Sequence, residues 1–171
     1  ILLAIMKSAL IPGNSCPSGV LLGVIVLILG VFNMKTGDRQ RISKCEEIFD
    51  RGYDLHLNSH YKESTAVLFS GAMLSPDPMF HIIIGKNNEA LGDFTSAQRE
   101  YETAHFMVPY RIFPLERLMR LKLKQHDNES ALMYAEQVED MPINENHKGM
   151  AYLKNVCCSV VDSLRLKQSS L

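Results

Sequence analysis

The sequence predicts an all-α protein: an N-terminal transmembrane helix, then a helical solenoid of about three repeats closed by a C-terminal capping helix. Three observations carry that reading. Residues 17–34 are almost wholly apolar. From about residue 40 onward, apolar side chains recur at three- and four-residue spacing, with turn signals roughly every 15–18 residues. Similar residues also return at a 33-residue interval through the middle of the chain.

The membrane element is read first. Gly19 to Phe32 carries neither charge nor polar side chain. With its flanks it reaches about 18 residues, which at ~1.5 Å per residue spans about 27 Å, close to the hydrocarbon thickness. Gly19 and Gly23 form a small-xxx-small pair suited to close helix approach. A cleaved signal and a buried soluble helix are the alternatives. Against the signal, Pro12, Gly13 and Pro17 separate Lys7 from the apolar core, and no A-x-A site follows. Residues 1–11 read as the end of a preceding membrane helix, and residues 12–17 as a hairpin loop. The chain opens on Ile1 instead of Met, which suggests a piece of a longer protein. Residues 35–44 form a basic linker. Lys35, Arg39, Arg41 and Lys44 follow the segment and only Lys7 precedes it, so the positive-inside rule puts the repeats in the cytoplasm.

The repeats occupy residues 45–142. Gly52 and Gly85 are 33 apart, as are Tyr61 and Phe94, Ser64 and Ala97, Leu68 and Tyr101, Gly71 and Ala104, and Pro76 and Pro109. A third copy shifts by 34, from Ala97 to Ala131, and its Pro142 arrives one residue early. The order small, aromatic, Ala, bulky, Ala, Pro at this spacing resembles the tetratricopeptide repeat. Gly85, Phe94, Ala97, Tyr101, Ala104 and Pro109 match it throughout. Small residues sit where the two helices of a repeat cross closely, a bulky one fills the space beside them, and Pro ends the second helix. Ser64 and Gly71 replace both Ala residues in the first copy, and Met119 stands at the small position in the third, which predicts a wider or distorted crossing there. The spacing predicts helices over 41–57, 61–74, 78–91, 94–108, 112–125, 128–140 and 145–167. Residues 143–171 hold the capping helix and tail. Met150, Leu153, Val156, Cys157, Val160, Val161 and Leu164 make one apolar stripe that closes the open end of the stack.

A more specific likeness lies in the stretches 75–80, 84–87, 90–94 and 107–115, which resemble the C-terminal repeat region of the bacterial O-antigen ligase/polymerase family. Asn88 departs from the Tyr that this branch tends to carry after Lys-Asn. The resemblance implies a polytopic bacterial inner-membrane parent that transfers or polymerises lipid-carried polysaccharide, as in lipopolysaccharide biosynthesis. Its catalytic basic residues belong to upstream loops. None maps here, so no catalytic residue is assigned and this piece reads as an accessory interaction domain. An independent membrane-anchored repeat adaptor is the alternative.

The chemistry of the chain favours binding over catalysis. Net charge is −1, without the basic stripe that nucleic-acid binding leaves. GxGxxG, GxxxxGK[ST], GxSxG and HExxH are absent from the sequence. Cys16, Cys45, Cys157 and Cys158 lack metal-ligand spacing and read as small apolar side chains. His56 and His60 read as solvated turn residues. Neither metal nor cofactor is expected. The predicted partner is a protein or peptide held in the concave groove lined by the first helix of each repeat. The repeat register places Phe49, Tyr53 and His56, then Met79, Ile82, Lys86 and Glu89, then Phe113, Glu116, Arg120 and Lys124 on that surface. Of these, Tyr53, His56, Lys86, Glu89, Arg120 and Lys124 are the candidate binding residues.

Overall fold

Each helical hairpin is built around the same turn. The computed structural model describes residues 39–142 and 148–169. They form α1 (39–57), α2 (Tyr61–Ala72), α3 (Pro78–Ala90), α4 (Phe94–Met107), α5 (Ile112–Lys124), α6 (Asn128–Glu139) and α7 (Lys148–Ser169). Between α1 and α2, α3 and α4, and α5 and α6, one residue takes a left-handed backbone: Ser59 at φ 65°, Gly92 at φ 81° and His126 at φ 58°. Their spacing is again 33 and then 34 residues. The following amide reaches back five residues in all three turns: His60 N–H to Leu55 O at 2.9 Å, Asp93 to Asn88 at 2.9 Å, and Asp127 to Lys122 at 3.0 Å. These bonds satisfy carbonyls that a helix end otherwise leaves open. The next helix then starts with a cap. Asp93 accepts from Ser96 N–H at 3.0 Å and Asp127 from Ser130 N–H at 3.1 Å. His60 holds that place in the first repeat and supplies no side-chain cap.

Residues Lys44–Leu171 form one unit, in which α2 to α7 pack each on its chain neighbours and α1 meets α2 where Ser64 Oγ donates to Gly52 O. Small residues set the crossings. A Cβ on Gly52 would run into the Leu68 side chain, and one on Gly71 into Phe80 and Ile48. At Gly85 it would lie 2.5 Å from Tyr101 Cε1. Ala97 and Ala104, on the same helix as Tyr101, are fully buried. At the third repeat, where a wider or distorted crossing is expected from Met119, the large and small residues of the pair are exchanged. Gly52 with Leu68 and Gly85 with Tyr101 become Met119 with Ala135. Both Met119 and Ala135 lie in one core cluster, at 1% and 0% exposure. The large side chain has moved from the second helix to the first, keeping total volume similar, which is the kind of exchange a packed core tolerates.

α7 covers the end of the stack against α6 and α5. Cys157, Val161 and Leu164 are buried, with Met150, Leu153, Val156 and Val160 packed beside them. Lys154 Nζ donates to Met141 O at 2.7 Å, just beyond the C-terminal end of α6, where a cation meets the helix dipole favourably. Arg165 adds exposed pairs to Glu136 at 2.8 Å and Glu139 at 3.5 Å.

No described helix is long and apolar enough to cross a membrane. Segments 1–11 and 17–34, read from the sequence as membrane helices, lie outside the described residues, as does 35–38 of the linker. Residues 39–44, also read as linker, are helical and begin α1.

Candidate functional site

Helices α1, α3 and α5, the first of each hairpin, converge on an open pocket of about 230 Å³. Its walls are His56 from α1, Lys86, Glu89 and Ala90 from α3, and Arg117 and Lys124 from α5. Four of the six candidate residues therefore meet: His56, Lys86, Glu89 and Lys124. Tyr53 adjoins the pocket through its stack on His56, with ring centroids 6.0 Å apart. Arg120 does not line it. That guanidinium bonds Glu116 on its own helix, which raises the Arg120 pKa.

A polar network fixes His56. Ser64 Oγ donates to Gly52 O at 2.7 Å, and Asn87 Nδ2 donates to Ser64 Oγ at 2.8 Å and Thr65 Oγ1 at 3.2 Å. Asn87 Oδ1 is thereby left as an acceptor, 2.7 Å from His56 Nδ1. The imidazole thus donates through Nδ1, and its Nε2 is free of that network. His56 is half-buried, a correction to the solvated turn residue read from sequence; its partner comes from the next repeat. His60 remains exposed beside Glu63.

Rings continue along α1 from this point. Phe49 and Tyr53 stack at 6.1 Å, Phe49 meets Phe80 edge-on at 5.4 Å, and Tyr61 tilts over His56 at 5.8 Å. Tyr53 is exposed, so an aromatic face is presented to solvent next to the pocket. Ile82 and Glu116, also expected on this surface, turn inward instead and are 1% and 2% exposed. Their register position faces the adjacent helices, where Ile82 joins the apolar core.

The pocket is electropositive. Its lining holds Lys86, Arg117 and Lys124 against one carboxylate, Glu89, a formal charge of +2 with His56 neutral, and behind the wall Arg117 also pairs with the buried Glu116 at 3.6 Å. Glu89 is committed twice: it pairs with Lys124 and accepts from Tyr101 Oη at 3.0 Å. Burial, then the Glu89 charge, pushes the Tyr101 pKa far up. Lys86 Nζ and Arg117 Cζ share one ring, lying 5.6 and 5.4 Å from the Phe113 centroid. Burial, and next the Arg117 charge, holds the Lys86 ammonium below its usual range. Among the described residues Lys86 has no ion-pair partner. Arg117 Nε is buried without a hydrogen bond, 3.6 Å from the Glu116 carboxylate.

Arg117, which lines the pocket, and Asn87, which holds His56, are not among the candidates read from the sequence. The repeat register pointed to Arg120, at the place equivalent to Lys86. The i, i+4 spacing of Phe113 and Arg117 was the available signal, since it sets a cation over an aromatic ring on one helix face. No group of three or more His, Cys, Asp or Glu able to hold a metal occurs among the described residues.

Comparison with solved structures places this arrangement on a known scaffold. The Yersinia enterocolitica type III secretion chaperone SycD, in complex with a peptide of the translocator YopD, superposes with a TM-score of 0.66 at 15% identity, covering 74% of this chain and 95% of its own. The chaperone PcrH, in complex with the chaperone-binding region of PopD, gives 0.65 at 12% identity, covering 74% and 94%. The Sgt2 tetratricopeptide-repeat domain of Aspergillus fumigatus gives 0.58 at 14% identity, covering 71% and 82%. No protein family and no curated protein matches the chain by sequence, so the likeness to O-antigen ligases gains no support from them. The described part of the chain has a tetratricopeptide-like helical repeat fold.

Proposed function

We propose that this protein is a membrane-anchored adaptor that binds an extended peptide segment of a partner protein along the α1–α3–α5 face. The observation that carries this reading is the union of an aromatic row, Phe49–Tyr53–His56, exposed at Tyr53, with an open basic pocket beside it. An aromatic row gives a passing segment apolar surface, and the pocket gives it a directional contact. The likeness to SycD and PcrH, solved with a peptide of YopD and the chaperone-binding region of PopD respectively, supports the same use of the fold.

The test is selection of peptides from a random display library on the full chain. Selected peptides are expected to compete with one another for one site and to lose affinity on Tyr53→Ala. Peptides that bind equally well to Tyr53→Ala, or a selection that enriches none, refute the reading.

A second reading, the accessory tail of an O-antigen ligase or polymerase, is favoured by the sequence stretches within 75–115 and by the apolar segment upstream. The open reading frame upstream of Ile1 separates the two, since the ligase needs several further spans. Anchoring through 17–34, with the repeats on the cytoplasmic side of the inner membrane, is tested by protease protection in sealed vesicles of known orientation.

A further inference from the structure

The pocket holds more positive charge than its own carboxylates neutralise, at one defined spot. Of its three cations, Lys124 is spent on Glu89. Lys86 and Arg117 come from successive repeats and crowd one aromatic ring; among the described residues the first has no ion pair and the Nε of the second no hydrogen bond. The nearby Glu116 answers only part of this charge. It is 2% exposed and its single carboxylate is shared between two guanidiniums, pairing with Arg120 and, at 3.6 Å without a hydrogen bond, with Arg117, so no carboxylate is left for Lys86. Two like charges held together and partly dehydrated destabilise each other unless an anion joins them.

We infer that the Lys86–Arg117 pair, floored by Phe113, is the receptor for a carboxylate carried by the bound segment. A carboxylate placed there accepts charge-assisted hydrogen bonds from both cations and relieves their repulsion. Glu89 in the same wall repels anions of higher charge, which favours a monoanion. The segment is thus acidic at one position and apolar or aromatic where it passes Phe49 and Tyr53. The inference rests on the peptide-binding groove proposed above. It goes further in naming the chemistry that one position must have.

The test uses the same peptide selection on the full chain, with Lys86→Gln, Arg117→Gln and Lys86→Glu in parallel. Wild-type protein is expected to enrich peptides with an Asp or Glu at a fixed offset from an aromatic residue, or peptides ending in a free carboxylate. Lys86→Glu is expected to abolish that enrichment. One selected peptide is then measured by fluorescence anisotropy in acid and amide versions, each with free and amidated C-termini. Replacing the recognised carboxylate by its amide is expected to lower affinity about tenfold or more. Comparing the two amide substitutions tells a side-chain acid from a chain terminus. Affinity of the acid form is expected to fall with added salt and that of the amide form to hold, a readout independent of any variant's folding. Competing peptides with no acid at any fixed place, or equal affinity of acid and amide forms, overturn the inference while leaving the groove intact. A selection that enriches nothing overturns both.

Discussion

Gly85→Ala sets two effects of opposite sign against each other. Alanine in a helix interior is favoured over glycine by about 0.8–1.0 kcal/mol. Against this, the new Cβ lies 2.5, 2.8 and 3.0 Å from three carbons of the Tyr101 ring. Carbon pairs rest at roughly 3.5–4.0 Å, so the ring must retreat by several tenths of an ångström. It has nowhere to go: Tyr101 is 0% exposed, and its hydroxyl is tethered to Glu89 at 3.0 Å. Overpacking of this kind costs about 1–3 kcal/mol, and a ring held at both ends belongs near the top of that range. The net loss is then about 2 kcal/mol, or a fall in melting temperature of roughly 6–8 °C. Urea denaturation followed by circular dichroism measures it on the full chain. Gly149→Ala is the control, because a Cβ there meets nothing within 4 Å, and it is expected to be neutral or slightly stabilising. The third repeat supplies a second check by carrying the large side chain on the other helix. Gly85→Met combined with Tyr101→Ala copies that arrangement and is expected to cost at least about 1 kcal/mol less than the two single changes summed. A Gly85→Ala protein as stable as the parent, or a strictly additive double variant, refutes close crossing as the role of Gly85.

Other consequences follow from the turns and the cap. His126 adopts φ 58° where its counterpart is Gly92; His126→Gly is expected to raise stability by about 0.5–1 kcal/mol, read as a shift in urea midpoint at constant slope. His60→Asp restores the cap that Asp93 and Asp127 provide in the later repeats and is expected to add about 1 kcal/mol, with no gain if the first turn differs from the other two in solution. Cys157 is 0% exposed, and burial pushes its thiol pKa up to about 11. Because its folded pKa is raised, the stabilisation is complete below the ordinary thiol value of about 8.5 and is lost as pH climbs from there toward 11. The urea midpoint of the parent should therefore fall more steeply between pH 8 and pH 10.5 than that of Cys157→Ala, by on the order of 2 kcal/mol, and parallel curves would remove the thiol from the account.

The described helices were legible in the sequence to within three residues at each end, because turns and caps are local. Leu91-Gly92-Asp93 carries its left-handed residue and its cap side by side, and the 33-residue return of Gly, aromatic and Pro marks the first two hairpins. The stripe on α7 was equally plain, since i, i+3, i+4 spacing maps directly onto a buried face. The third crossing was not legible. Met119 looks like a defect until Ala135, sixteen residues away, is seen to have given up the volume that Met119 takes. For the site, the repeat register located His56, Lys86, Glu89 and Lys124 but chose Arg120 over Arg117.

What the sequence alone determined is the set of hairpins and the helix face each offers, because backbone hydrogen bonding, capping and amphipathic spacing act within a few residues. Which charges stand uncompensated was decided only by the stacking of the hairpins. That stacking ties His56 to Asn87 across 31 residues and Lys124 to Glu89 across 35, and sets Lys86 beside Arg117 against one ring while Glu116 is shared by Arg117 and Arg120. Coulomb energy depends on distance in space and on burial, and neither quantity is written along the chain.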